Sequence, residues 1–166
     1  EAAVRSLYYF ATKQQPPADL LSWQAVRGLT SIKEAAASVP GVGTVHVAVV
    51  SGMAAARHVL DEVRRTGRSR WQFIEFMACP GGCLGGGGQP KSEVPADEAV
   101  RRKRMEALYA EDKGAPRRMS HENGEVQALY REFYGAPLSA RAEEFLHTHF
   151  EDRSGRLFDR ETQSQA

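Results

Sequence analysis

Residues 77–90 read MACPGGCLGGGGQP and hold both cysteines of the chain, Cys79 and Cys83, with six of its 15 glycines. Two thiols four residues apart can form a disulfide, hold a metal or act as nucleophiles. A disulfide here would close a very short loop and needs an oxidising compartment. A structural zinc site wants four ligands, commonly as two pairs, and only one pair is present. The phosphate-loop pattern fails because Pro90 stands before Lys91-Ser92, and the dinucleotide pattern GxGxxG fails in register. An iron–sulfur cluster suits the stretch better. Thiolates are its usual ligands. Backbone N–H groups of a glycine-rich nest can face its negative charge, and glycine lets the chain approach a bulky group without Cβ clashes. A cubane needs four ligands, so two must come from outside this chain.

The elements around the loop should position it. Thr44–Val50 (TVHVAVV) reads as a buried strand rich in β-branched residues. Ser51-Gly52 leads into a helix, MAAARHVLDEVRRTG, stopped by Gly67. A second strand follows at Trp71–Met77 (WQFIEFM). Strand, helix, strand implies a βαβ unit and a parallel sheet. Ligands of such sheets bind beyond the carboxyl ends of the strands, and the cysteine stretch starts where the second strand stops. Residues 31–39 (SIKEAAASV) are ambiguous between helix and strand. Residues 1–14 form an apolar-periodic helix ended by Gln14-Gln15-Pro16-Pro17. Helices are expected at 97–111, 122–134 and 139–149.

The stretch FIEFMACPGGCLGGGGQP resembles the third signature of iron-only (FeFe) hydrogenases, ExMACxGGCxxGGGxP; Glu75, Met77, Ala78, Cys79, Gly81, Gly82, Cys83, Gly86, Gly87, Gly88 and Pro90 all match. AVRGLTSIKEA (25–35), HVAVVSG (46–52), RMSHEN (118–123) and FYGAPLSARAEEFLHTHF (133–150) resemble further segments of that family, in order. The resemblance implies an H-cluster: a 4Fe–4S cubane joined through one cysteine sulfur to a diiron subcluster. Cys79 and Cys83 would be metal ligands, Cys79 of the cubane and Cys83 as the bridging thiolate. Met77 would place its thioether against the diiron unit, so Cys83 and Met77 carry the catalytic expectation. Gly81 and Gly82 would let the backbone close over the cluster. The implied fold is α/β, a partial parallel sheet with flanking helices. It would be one lobe of a two-lobed domain, with residues 1–96 as the α/β lobe and 97–166 as a helical segment packing on it. The expected partners are the upstream half of the hydrogenase, an electron carrier such as ferredoxin, and H2 and protons. The family's TSCCPxW and MPCxxKxxE motifs do not occur in this chain, and Glu143 stands where its closing segment has histidine. The alternative is a hydrogenase-like iron–sulfur assembly or sensory protein that binds a cubane without H2 turnover.

The bulk numbers leave room for this and exclude little. The 166 residues carry a net charge of +1, so no global field points to nucleic acid. The basic run Arg101–Arg104 sits among Glu98, Glu106 and Glu111 and reads as a solvated helix face. No stretch approaches a membrane span, and no secretory leader is visible, so a cytoplasmic location is expected. The chain opens at Glu1 inside a helical pattern, which suggests the downstream part of a longer protein or a split subunit. Ser120 reads as an N-cap for the helix at 122, His147 and His149 as structural, and Arg27 as an ion-pair residue.

Overall fold

The computed structural model describes residues 1–90, 97–152 and 155. They fall into two compact units, Glu1–Glu122 and Asn123–Ala166.

The first unit is built on three strands, β1 (Ile32–Val39), β2 (Gly43–Ser51) and β3 (Phe73–Met77), in the order β1-β2-β3. β2 and β3 are parallel, with Val47 opposite Phe73 and Ser51 opposite Met77. The crossover between them is helix α3 (Met53–Thr66), so the βαβ unit is present. Gly67 ends α3 with φ 68°, its N–H donating to the Val63 carbonyl. The ambiguous 31–39 stretch is strand β1, and it pairs antiparallel with β2, from Ile32 opposite Val50 to Val39 opposite Gly43. The sheet is therefore mixed rather than parallel. Three consecutive alanines favour helix locally, but pairing and burial override propensity. Ala37 and Val39 are buried on the same face as Val45, Val47 and Val49.

β2 is central and buried on both sides, which is why its sequence is nearly continuous apolar. One face packs Val45, Val47 and Val49 against Val4, Leu20, Trp23 and Val26, from helix α1 (Ala2–Thr12) and the segment that follows it. The other packs Ala48 and Val50 against Ala56 and Val59 of α3 and against Trp71. Trp71 lies before β3 and anchors the core there, so the strand starts two residues later than the sequence suggests. α1 ends at Thr12, not 14, because Lys13 takes a left-handed C-cap with φ 58° and donates to the Tyr9 carbonyl.

After the loop comes α4, where α2 is the short Ala18–Leu21 turn and α4 is Glu98–Gly114, ending three residues later than expected. Asp97 caps α4, accepting from the Val100 N–H at 2.8 Å. Ser120 is not the cap of the next helix. It sits in a 3-10 turn, Ser120–Glu122, while Asn123 accepts from the Glu125 N–H and caps α5 (Gly124–Leu129) in the second unit. α5 runs on as a π-helical turn, Tyr130–Tyr134. α6 (Ala140–Leu146) is capped by Ser139 and stops before His147, so neither His147 nor His149 is helical.

Candidate functional site

The site begins where β3 ends. Met77 is the last strand residue, and its carbonyl accepts from the Gly52 N–H at 2.8 Å. This joins the end of β3 to the start of α3. The chain then turns sharply: the Gly82 N–H donates to the Cys79 carbonyl at 2.8 Å, and a 3-10 turn, Gly82–Gly85, carries Cys83. The Cys83 carbonyl accepts from the Gly86 N–H at 3.3 Å and the Gln89 side-chain amide at 3.1 Å. Both cysteines are free thiols, Cys79 half-buried and Cys83 exposed, so the pair is not a disulfide.

Two glycines explain why side chains are excluded. Gly82 has φ +66°, and a Cβ there would stand 2.6 Å from the Met77 sulfur. The thioether thus packs against bare backbone in the space a methyl would take. A Cβ on Gly85 would lie 2.7 Å from the Pro80 carbonyl oxygen, which is backbone and cannot swing aside. Gly87 and Gly88 face nothing within 4 Å of a built Cβ, so local space does not require them.

The sheet supplies a floor. Lys33, Val49 and Glu75 occupy one rung across β1, β2 and β3. Met77 lies two residues on from Glu75 and shares its face. Lys33 donates to the Gly28 carbonyl at 3.2 Å. Burial pushes its ammonium pKa down, and Glu75 pulls it partly back. A cavity of about 210 Å³ opens beside this rung, lined by Met77, Cys83 and Leu84, by Lys33 and Glu75, and by Met105 and Tyr109 of α4.

α4 also reaches the loop directly. Arg104 donates from one guanidinium nitrogen to the Leu84 carbonyl at 2.9 Å and from the other to the Pro90 carbonyl at 3.0 Å. The basic run is a solvated face only in part. Arg102 pairs with Glu98 at the surface, while Arg104 turns inward.

Behind the site lies a charge cluster. Arg27 pairs with Glu1 at 2.6 Å and Asp112 at 3.2 Å, and its guanidinium lies 4.3 Å from the Tyr109 ring centroid. The hydrogen bond to Glu1 raises the Arg27 pKa against the opposing effect of burial. Arg5 is 4% exposed and donates to Glu1, Asp112 and the carbonyls of Leu20, Leu21 and Arg118. Burial would raise the Asp112 pKa, but hydrogen bonds from Arg5 and Arg118 more than reverse this and hold it at about 2. His121 stacks on Tyr9 at 4.3 Å and bonds Ser6 at 3.1 Å, so it packs against α1.

The structure therefore brings Met77, Cys79, Gly81, Gly82 and Cys83 into one tight turn at the carboxyl end of a parallel strand. Sequence reading missed Arg104, Lys33 and Tyr109. Lys33 becomes legible once 31–39 is read as a strand, because it then alternates with Ala35 on the inward face. Arg104 carries no such signal, since it sits in a run of basic residues of which Arg102 and Lys103 are exposed. Among the described residues, no group of three or more His, Cys, Asp or Glu could hold a metal. Two thiols with a thioether are a soft donor set, suited to part of an iron–sulfur site and short of a whole one.

A soft-ligand loop at the carboxyl end of a parallel strand has the donor chemistry of part of an iron–sulfur site. Residues 1–87 match the family described as iron only hydrogenase large subunit, C-terminal domain, and residues 98–153 match iron hydrogenase small subunit. This chain belongs to the iron-only hydrogenase family. It is 41% identical over 150 residues to the NADP-reducing hydrogenase subunit HndD of Solidesulfovibrio fructosivorans, covering 90% of this chain and 24% of that one. It is 36% identical over 152 residues to iron hydrogenase 1 of Clostridium pasteurianum, covering 89% and 25%. A solved structure of the FeFe-hydrogenase HydA1 of Chlamydomonas reinhardtii superposes with a TM-score of 0.65 at 32% identity, over 90% of this chain and 43% of that one. The chain thus spans about a quarter of the length of these curated relatives. No helix among the described residues is long and apolar enough to cross a membrane.

Proposed function

We propose that this chain is the C-terminal portion of an FeFe hydrogenase, which reduces protons reversibly to H2 at an H-cluster completed by residues outside the chain. The observation that carries the reading is the turn itself. Cys79 and Cys83 are free, close in sequence and held by backbone hydrogen bonds, with the Met77 thioether seated against Gly82. The donor set fits the group, and so does its incompleteness: two thiolates leave two cubane ligands to a partner segment.

In this reading Cys79 and Cys83 would hold the H-cluster as thiolate ligands, Cys79 through the cubane and Cys83 at its join to the diiron subcluster. When bound, the H-cluster supplies the redox chemistry that joins two protons and two electrons as H2. The chain's own residues do the rest. Gly86 and Gln89 fix the Cys83 backbone through its carbonyl. Gly82 leaves room for the Met77 thioether, a soft and polarizable group at that position. The sheet face carrying Lys33 and Glu75 forms a polar wall next to the loop. Residues 1–96 are read as the α/β lobe and 97–166 as the C-terminal helical segment of the same H-cluster domain. The upstream half supplies the remaining ligands, and a ferredoxin-type carrier supplies electrons.

The test is hydrogen evolution from reduced viologen by the anaerobically isolated holoprotein. Rapid turnover, abolished by Cys83→Ser, is the expected result. A preparation that holds a full cubane and evolves no H2 would refute the catalytic reading and leave assembly or sensing.

A further inference from the structure

The glycine tract after Cys83 poses a physical problem. Gly85–Gly88 offers no side chains to pack, and glycine loses more backbone freedom on ordering than any other residue. Within the loop only Gly82 and Leu84 are buried, and beyond the 3-10 turn itself its ends are tied by hydrogen bonds from Gly82, Gly86 and Gln89. A further restraint comes from α4. Arg104 spans the loop with one rigid fork, bonding the Leu84 carbonyl at 2.9 Å and the Pro90 carbonyl at 3.0 Å. Both ends of the glycine tract are thereby fastened to a single planar group. The first of those carbonyls belongs to the residue that follows Cys83.

We propose that Arg104 is a positioning residue for Cys83: its guanidinium, held on α4, clasps the glycine tract at Leu84 and Pro90 and so keeps the Cys83 thiolate where it must meet iron. The inference rests on the reading of the loop as an iron–sulfur site. It gives the α4 segment, which matches the small-subunit family, a direct part in holding a ligand carried by the large-subunit segment. The fork is essential to the argument. A lysine ammonium is a point donor on a flexible stem and lacks the two fixed, coplanar nitrogens of the guanidinium.

The experiment uses the anaerobically isolated holoprotein in five forms: wild type, Arg104→Ala, Arg104→Lys, Arg102→Ala and Val59→Ala. The measured quantities are the rate of iron release to bathophenanthroline disulfonate, the electron paramagnetic resonance spectrum of the cluster, and the melting temperature. Groups that orient metal ligands typically change metal affinity by about 10–100-fold when removed. Arg104→Ala should release iron about tenfold faster with an altered spectrum, and Arg104→Lys should fall between it and wild type. Arg102 pairs with Glu98 at the surface and touches no part of the described loop, and its loss should change nothing. Val59 lies in the core on the α3 face of the sheet, away from the loop. Its loss should lower the melting temperature and leave the spectrum unchanged. Iron release from Arg104→Ala within about twofold of wild type would overturn the proposal, as would equal release from Arg104→Ala and Val59→Ala at equal loss of melting temperature. Should Arg104→Ala fail to fold, Arg104→Lys decides by the same criteria. A wild-type protein with no cluster signal would instead sink the iron–sulfur reading, and this inference with it.

Discussion

Replacing Gly85 by alanine tests the loop geometry with one methyl group. The added Cβ would stand 2.7 Å from the Pro80 carbonyl oxygen, and real Cβ atoms essentially never come within 3.0 Å of such a neighbour. Reaching an ordinary contact at 3.4 Å requires the backbone between Pro80 and residue 85 to open by about 0.7 Å. Overpacking of this kind costs about 1–3 kcal/mol. Alanine returns about 0.4–1 kcal/mol by stiffening the unfolded chain. The net loss is therefore about 1–2 kcal/mol, a factor of roughly 5–30 in the folded ratio. The effect on metal should be larger. Cys79 and Cys83 lie within or beside the segment that must open, and metal–ligand distances tolerate only about 0.2 Å. Gly87→Ala is the matched control, because nothing lies within 4 Å of a Cβ there. Iron per polypeptide and the urea midpoint of the holoprotein measure the two effects. Gly85→Ala should lose both iron and stability, and Gly87→Ala should lose neither. Indistinguishable behaviour of the two variants would refute the steric argument.

Gly82→Ala should cost about 1–2 kcal/mol for its left-handed backbone plus a steric part against Met77. Because that part falls on the end of a flexible side chain, Met77→Ala should relieve it, and a double-mutant cycle in urea should show sub-additive losses. Arg5→Ala removes the donor shared by three backbone carbonyls and two carboxylates, and denaturation should report a loss of about 3–5 kcal/mol. Asp112 titrates at about 2 in the folded protein against 3.8 otherwise. Its contribution is therefore complete above about pH 4 and disappears as pH falls towards 2. The shift corresponds to at most ~2.5 kcal/mol, or about 1–2 after solvent screening, because the side chain is 31% exposed. Stability measured from pH 6 to pH 2 should fall less steeply in Asp112→Asn than in wild type. In the second unit, Asn123→Ala should weaken α5 by about 1 kcal/mol through loss of its cap, while Ser120→Ala should have no comparable effect on α5.

The sequence made the chemistry more legible than the architecture. Cys79, Cys83 and their glycines are adjacent in the chain, so spacing alone brought them together. The βαβ unit was also readable, since β2 and α3 carry strong periodic signals and Gly67 is a plain stop. β1 was not readable, because three alanines are compatible with either state and only pairing with Val45–Val49 decides. Ser120 failed as a cap because Asn123 offers a better-placed acceptor three residues on, a competition that composition cannot rank. The role of Arg104 and the Lys33–Val49–Glu75 rung were hidden for one reason: each joins residues that meet only after the sheet and α4 have packed.

The register of β2 against β3 turns the location of the thiols into a matter of counting. Ser51 faces Met77, Gly52 fastens its carbonyl, and Cys79 follows two residues later. Side chains alternate along the strand, so one residue inserted or deleted between Phe73 and Met77 would exchange the positions of Phe76 and Met77. The thioether would then point towards α3, and a phenyl ring would take its place beneath the glycines. Chain length between Trp71 and Cys79 is consequently a stricter requirement than the identity of most residues in it.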